Sequence, residues 1–336
     1  ESIVVQLQGA ITSTSSFFFL DTQLRAVTLG LLFSSHVRFI DPLPTLQNYM
    51  FKALKLSCDL GSTVPSSQIR AESYELTLEM PQFGAPEPEM LSLLLSDLEV
   101  TSTLKVTGSR NFVFAGANAG LHITNCKVGF IEISKIEARD GALVLLTNTI
   151  LAPPGTVHST SYTLIKIEST TFLDNASLVI SDNLLDGSTA FEPSLEIYSS
   201  SFKNGSRAAI ERNFYTASVR RSSHGFYFRR LTLHNSTVTL GSNYMNASLP
   251  DPVTSSMAGI LLDSSGEIFN SSLFIVNNTL RYRSRFAVDI NAHADNATLL
   301  FRDNDVQGSL NLKNSKRGAW LWAPHDRNFQ DHEVSV

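Results

Sequence analysis

Four stretches of this chain obey one rule, and that rule limits what the chain can fold into. Asn175–Asn183, Asn235–Asn243, Asn270–Asn278 and Asn296–Asn304 each read Asn, small, Ser or Thr, apolar, any, apolar, any, any, Asn. Asp140–Asn148 keeps the same frame, Asn204–Asn213 keeps it with one extra residue, and a more degenerate copy starts at Thr101. The starts lie 26 to 39 residues apart. A unit this short cannot bury its apolar face alone, so it must stack on its own copies.

The apolar pairs after each start alternate with period two: Leu104/Val106, Leu143/Leu145, Leu178/Ile180, Val238/Leu240, Leu273/Ile275 and Leu299/Phe301. That is one strand with one face turned inward. A leading strand precedes each start, as Leu91/Leu93, Ile131/Ile133, Ile165/Ile167, Leu195/Ile197, Phe226/Phe228, Ile260/Leu262 and Phe286/Val288. Length differences fall in polar stretches such as 151–160 and 249–257, which follow the trailing strand. Uniform strand order without hairpin turns predicts an all-β, right-handed, single-stranded parallel β-helix with coils of roughly 32 residues and a rise of about 4.8 Å per coil. Residues 91–312 carry the regular repeats. Residues 1–90 read as irregular coils or a cap, and Leu46, Tyr49, Met50, Ala53 and Leu54 allow either a short helix near 44–55 or another irregular coil. Residues 313–336 read as a carboxy-terminal extension.

Asparagine occurs in two separate roles. The closing residues Asn148, Asn183, Asn213, Asn243, Asn278 and Asn304 fall above one another at a bend, where stacked amides can bond from coil to coil as an internal ladder. Asparagine is also a common turn residue, the plainer explanation. Seven Asn-x-Ser/Thr triplets, at Asn175, Asn204, Asn235, Asn246, Asn270, Asn277 and Asn296, form the second set. Five of them start a repeat, and no ladder asparagine is one of the seven. Either glycans line an exposed edge or the hydroxyls merely bond backbone groups. We favour partial glycosylation, and with it a place outside the cell or on its surface.

Composition narrows the functional classes. Apolar residues make up 43% and charged residues 17% of the chain, with a net charge of −5 and no basic cluster, so nucleic acid is not an expected partner. No apolar run approaches the ~20 residues of a membrane span. The chain begins at Glu1 and reads at once as a strand, as expected of a processed chain or a piece of a longer one. Cys58 and Cys126 either pair with each other or lie buried as small hydrophobes. No Gly-x-Ser-x-Gly elbow, His-Glu-x-x-His or phosphate loop is present, so no metal or cofactor is expected.

The outward face of the leading strand supplies Glu132, Lys166, Glu168, Glu196, Tyr198, Tyr227, Arg229, Asp263 and Asp289. Asp263 and Asp289, in consecutive coils, are the best candidates for a carboxylate pair acting on polysaccharide. Exposed charges on a strand are more often solubilising, and we expect no catalysis. The outward face of the trailing strand is apolar at Val144, Leu146, Val179, Phe274, Val276 and Leu300, and so needs cover. The chain's own loops or amino-terminal region would provide it, or else a neighbouring copy or a ligand.

The repeated Asn-x-Ser/Thr-apolar-x-apolar-x-x-Asn unit, over residues 90–312, resembles the large dispersed gene family surface glycoproteins of trypanosomes, which look like pectin-lyase-type β-helices. The resemblance implies a cell-surface glycoprotein with an adhesive role. The long flat faces of a solenoid lead us to expect protein or glycan ligands, or neighbouring copies in an assembly, as partners. It transfers no catalytic residue.

Overall fold

The computed structural model describes residues 98–108, 113–152, 163–187, 194–217, 224–247, 258–263 and 265–314 as continuous stretches. It also describes strands 3–8, 15–19, 24–30, 34–39, 48–59, 67–80, 92–96, 319–322 and 332–335. Every regular element among them is a strand. The strands pair in parallel from coil to coil, forming a β-solenoid of about 30 residues per turn.

Each regular coil has four strands. In one coil they are Leu195–Tyr198, Ser201–Lys203, Arg207–Glu211 and Phe214–Ala217. The first is the leading strand of the repeat and the third is the trailing strand. The second and fourth, three and four residues long in this coil, are too short for a two-residue period to reveal. All four pair with their counterparts in the next coil, giving four parallel sheets around one interior.

Three corners join the four strands, and each uses the left-handed backbone region. The third corner does so at Asn125, Asn148, Asp182, Arg212, Ser242, Asn277 and Asp303, with φ between 50° and 59°. Among the described residues, twelve of the eighteen non-glycine residues with positive φ are Asn or Asp, the side chains that bear this conformation at least cost. The residue that follows each of these left-handed turns, after the second residue where two adjacent ones are left-handed, points inward. At the second corner it is small, forming the buried column Ala119, Ala142, Ala176, Ser206, Ser236, Ser271 and Ala297. This explains the small residue in the repeat.

At the third corner the inward residues are Cys126, Thr149, Asn183, Asn213, Asn243, Asn278 and Asn304, all at most 3% exposed. Asn243 shows the pattern. Its Oδ1 accepts from Asn213 N and Asn213 Nδ2, both at 3.0 Å. Its Nδ2 donates to Ile210 O at 2.8 Å and to Asn278 Oδ1 at 3.0 Å. The amide is fully satisfied by the two adjacent coils, as a buried polar group must be. The same bonds run from Asn183 through Asn278 to Asn304.

Asn148 is not part of this ladder. It is exposed, with φ 50°, and Thr149 beside it takes the inward place and donates its backbone N–H to Asn183 Oδ1 at 3.0 Å. The frame in this coil is displaced by one, so Val144 pairs with Leu178 and Leu146 with Ile180. The run Ala142–Leu146 is apolar at every position and carries no period, and a one-residue slip exchanges the two faces. Val144 and Leu146 are therefore core residues, each 1% exposed, and Leu143 and Leu145 face outward.

One further expectation changes, and one open alternative is decided. Leu104 and Val106 are buried as expected, but they pair with Ile131 and Ile133 in the first sheet, while Leu93 pairs with Leu121 in the third. Asn48–Asp59 is a strand paired with 34–38 on one side and 69–79 on the other, not a helix. Its run of apolar residues fits both periods, and pairing on two sides decides between them. The sheets do not stop at 312, since 319–322 pairs with 298–301 and 332–335 with 310–313. Cys126 is buried at the third corner, where its Sγ donates to Thr124 O at 3.2 Å.

The interior is apolar on all four sides. Phe172 and Phe202 stack with centroids 4.6 Å apart, and Leu185, Tyr215, Met245 and Leu280 line the fourth side. The ladder gives a direct test. Asn243→Ala removes four bonds and leaves buried groups unmet, which costs about 3–5 kcal/mol. Asn243→Asp points a carboxylate oxygen at two acceptors, Ile210 O and Asn278 Oδ1, and is expected to cost more at neutral pH. Its folded-state pKa then lies above the usual value of about 3.9, so its deficit shrinks as pH falls. Denaturant unfolding of both variants at two pH values checks the order and its pH dependence.

Candidate functional site

The second corner gathers most of the acceptor triplets. Asn175, Asn204, Asn235, Asn270 and Asn296 all have positive φ there, and all are exposed. Asn277 is exposed at the third corner, next to the buried Asn278, and Asn246 is exposed on a fourth strand. Some of these amides already touch one another's coils. Asn204 Nδ2 donates to Asp174 Oδ1 at 3.1 Å, Asn296 Nδ2 to Asn270 Oδ1, and Asn277 Nδ2 to Ser242 Oγ at 3.1 Å. Coils about 4.8 Å apart leave no room for a bulky group on each step of the corner.

The outer face of the first sheet carries the charged residues. Register aligns Lys105, Glu132, Lys166, Glu196, Tyr227, Leu261 and Asp289 in one column. The charges at its start alternate in sign, and Lys105 Nζ lies 2.9 Å from Glu132 Oε1. Lys166 Nζ instead reaches Glu168 on its own strand at 2.7 Å. Burial pulls the Lys166 pKa down, but the bond to Glu168 and the charges of Glu168, Glu196 and Glu132 raise it overall.

A second column holds Tyr198 and Arg229, with Asp263 continuing from the strand beside them. The guanidinium carbons of Arg229 and Arg230 lie 5.3 and 5.6 Å from the Tyr198 ring centre, and Arg230 donates to the Tyr198 hydroxyl at 3.0 Å. Asp263 accepts from Ser265 N at 3.1 Å and from the Ser265 hydroxyl, and lies 3.5 Å from the Tyr227 hydroxyl. Burial, then the Asp263 charge, push the Tyr227 phenol above its usual pKa, against the opposing pull of Arg229. It stays protonated at neutral pH.

The two candidate carboxylates are diagonal neighbours. Asp289 aligns with Leu261, and Asp263 lies two residues further along that strand. Asp289 Oδ1 accepts from Asn311 Nδ2 at 2.9 Å, in the coil on its other side. The register thus directs the two carboxylates to different partners. Among the described residues no group of three His, Cys, Asp or Glu side chains is placed to hold a metal ion.

The third sheet's outer face keeps Val179, Phe274, Val276 and Leu300, all half-buried, with Leu145 in place of the two misassigned residues. The central column runs Leu145, Val179, Ala209, Thr239, Phe274, Leu300, so its middle is neither large nor fully apolar. A stronger apolar feature escaped the sequence pattern. Ile150, Leu184 and Phe214, 41–43% exposed, stand in register on the fourth sheet and continue to Tyr244, whose ring stacks on Phe214 at 4.7 Å. Their strands are two to four residues long, and only the structure aligns them. No helix among the described residues is long and apolar enough to cross a membrane.

His224 sits at the entry to this charged face, its ring tilted on Tyr227 at 5.1 Å. Nδ1 accepts the Ala258 N–H at 3.1 Å. Burial lowers the imidazole pKa from 6.5 to about 4, outweighing the backbone bond. A depressed basic group leaves the unfolded chain to take up the proton first, so stability is full above pH 6.5 and declines as pH falls toward 4. The loss has an upper bound of about 3 kcal/mol. Asn at this position can accept the same N–H without titrating, so His224→Asn is expected to flatten the stability profile between pH 7 and 4 in thermal unfolding.

Searches of family models, curated proteins and solved structures find no match to this chain.

Proposed function

We propose that this chain is an extracellular, N-glycosylated β-solenoid that binds protein or glycan ligands on its flat faces and performs no catalysis. The observation that carries the proposal is the sorting of asparagine. All seven acceptor-triplet asparagines are exposed, while the ladder asparagines, none of which begins a triplet, are buried. Turn chemistry alone does not require that separation, because Asp182, Arg212 and Ser242 serve equally well at left-handed corners. The resemblance of the repeat to trypanosome surface glycoproteins supports the same reading. The first-sheet outer face, with half-buried Tyr198 and Tyr227 beside paired charges, suits recognition of a polar ligand, and its carboxylates are turned toward partners within the protein.

The exposed stripe Ile150, Leu184 and Phe214 favours a second reading, a structural subunit of a surface filament or coat. Electron microscopy of purified native material separates the two, since regular polymers are expected only of the second.

Two measurements test the main reading. A chain secreted by eukaryotic cells is expected to lose mass on enzymatic release of N-glycans, and an unchanged mass would overturn the extracellular assignment. Incubation with pectins, alginates and glycosaminoglycans is expected to yield no products. Turnover abolished by Asp263→Ala or Asp289→Ala would establish a polysaccharide-active enzyme instead.

A further inference from the structure

The buried column at the second corner contains one residue that the fold does not explain. Ala142, Ala176 and Ala297 fill this position in three coils, so a methyl group suffices there. Where serine replaces alanine in neighbouring coils, its hydroxyl has work. Ser271 Oγ donates to Phe269 O at 2.7 Å and accepts from Ser236 N at 3.1 Å. Ser206 differs. It is 0% exposed, and its Oγ has no hydrogen-bond partner. A buried hydroxyl without a partner destabilises a fold, and alanine would cost nothing.

Ser206 is also the hydroxyl residue of the triplet Asn204-Gly205-Ser206. In other corner triplets that residue, such as Ser177, Thr237, Ser272 or Thr298, opens the third strand and faces outward, half-exposed. The difference comes from the corner. Asn235, Asn270 and Asn296 each turn alone, whereas Asn204 and Gly205 both have positive φ, 54° and 80°. Asn204 is the first of the two, so its triplet ends on the inward residue. The second residue of the preceding coil's two-residue corner is Asn175, at φ 65°, and a Cβ on Gly205 would stand 2.5 Å from that side chain's Oδ1, which would have to move.

We infer that Asn204 is glycosylated before its coil closes, and that the Ser206 hydroxyl is present for that reaction and not for the folded structure. This rests on the reading of the chain as a secretory glycoprotein. The transferring enzyme reads asparagine and hydroxyl together, and once the coil forms the hydroxyl is sealed in the core. In the reaction Asn204 Nδ2 attacks C1 of a polyprenyl-diphosphate-linked oligosaccharide. The Nδ2–C1 bond forms, the C1–O bond to the diphosphate breaks with its electron pair leaving on oxygen, and Nδ2 gives one proton to a base of the enzyme. The remaining Nδ2–H can keep the bond to Asp174 seen in the folded chain.

The test has three arms. Site-by-site peptide mapping of the secreted full chain is expected to find Asn204 occupied. If Asn204 is empty while other triplets are occupied, this inference fails and the glycoprotein reading stands; if all are empty, both fail. Unmodified chain made in bacteria, offered to a purified oligosaccharyltransferase with its lipid-linked donor, is expected to accept at Asn204 only when unfolded. Acceptance at an equal rate by the folded chain would overturn the order of events. Ser206→Ala is expected to fold with an unfolding midpoint no lower than that of the parent, and to lose modification at Asn204 alone. A lowered midpoint would assign the hydroxyl to the fold.

Discussion

A parallel coil that turns three tight corners forces one or two residues at each into the left-handed region and aims the next one inward. Both halves of that constraint leave marks. The outer residue must tolerate positive φ, which selects Asn, Asp and occasional Ser, Lys or Arg. The inner residue must fit beside the backbone and satisfy any polar group it brings. At the third corner the solution is an amide that bonds along the axis, at the second a methyl or hydroxymethyl group. Coil-to-coil backbone bonds exist only where those corners stack, so the sheets depend on them.

The sequence reveals most where alternation is strict. Val238 and Leu240 alternate with Thr237, Thr239 and Gly241, and their inward direction and the ladder residue Asn243 follow directly. The reading slips at Ala142–Leu146, where five apolar residues in a row suit either face, and with it Asn148 takes the place of Thr149. The same slip moved Val144 and Leu146 from core to surface. Two strands per coil stayed hidden because two to four residues cannot display a period. The outward stripe of Ile150, Leu184 and Phe214 stayed hidden for that reason too, since only register brings the three together.

The charged face is legible in content and not in pairing. Sequence places Asp263 and Asp289 on one face in neighbouring coils, which suggests a pair. Register offsets them by two residues, and each finds a partner elsewhere, Tyr227 and Ser265 for one and Asn311 for the other. His224 gave no signal at all. Its role follows from a backbone N–H 34 residues away that its ring accepts.

The amide-to-amide bonds of the ladder all run in one sense, from each Nδ2 to the Oδ1 of the coil that follows, while the second Nδ2 hydrogen returns to a backbone carbonyl of the coil before. Any two ladder coils therefore meet through the same contact, whatever their place in the series. Such a body can grow or shrink in evolution by whole turns, spliced in at the corner without a new seam. A partial turn would face an asparagine with the wrong neighbour, so smaller changes in length fall in the loops between the fourth strand and the next first strand, or as a single added residue at the second corner, as at Asn204–Gly205.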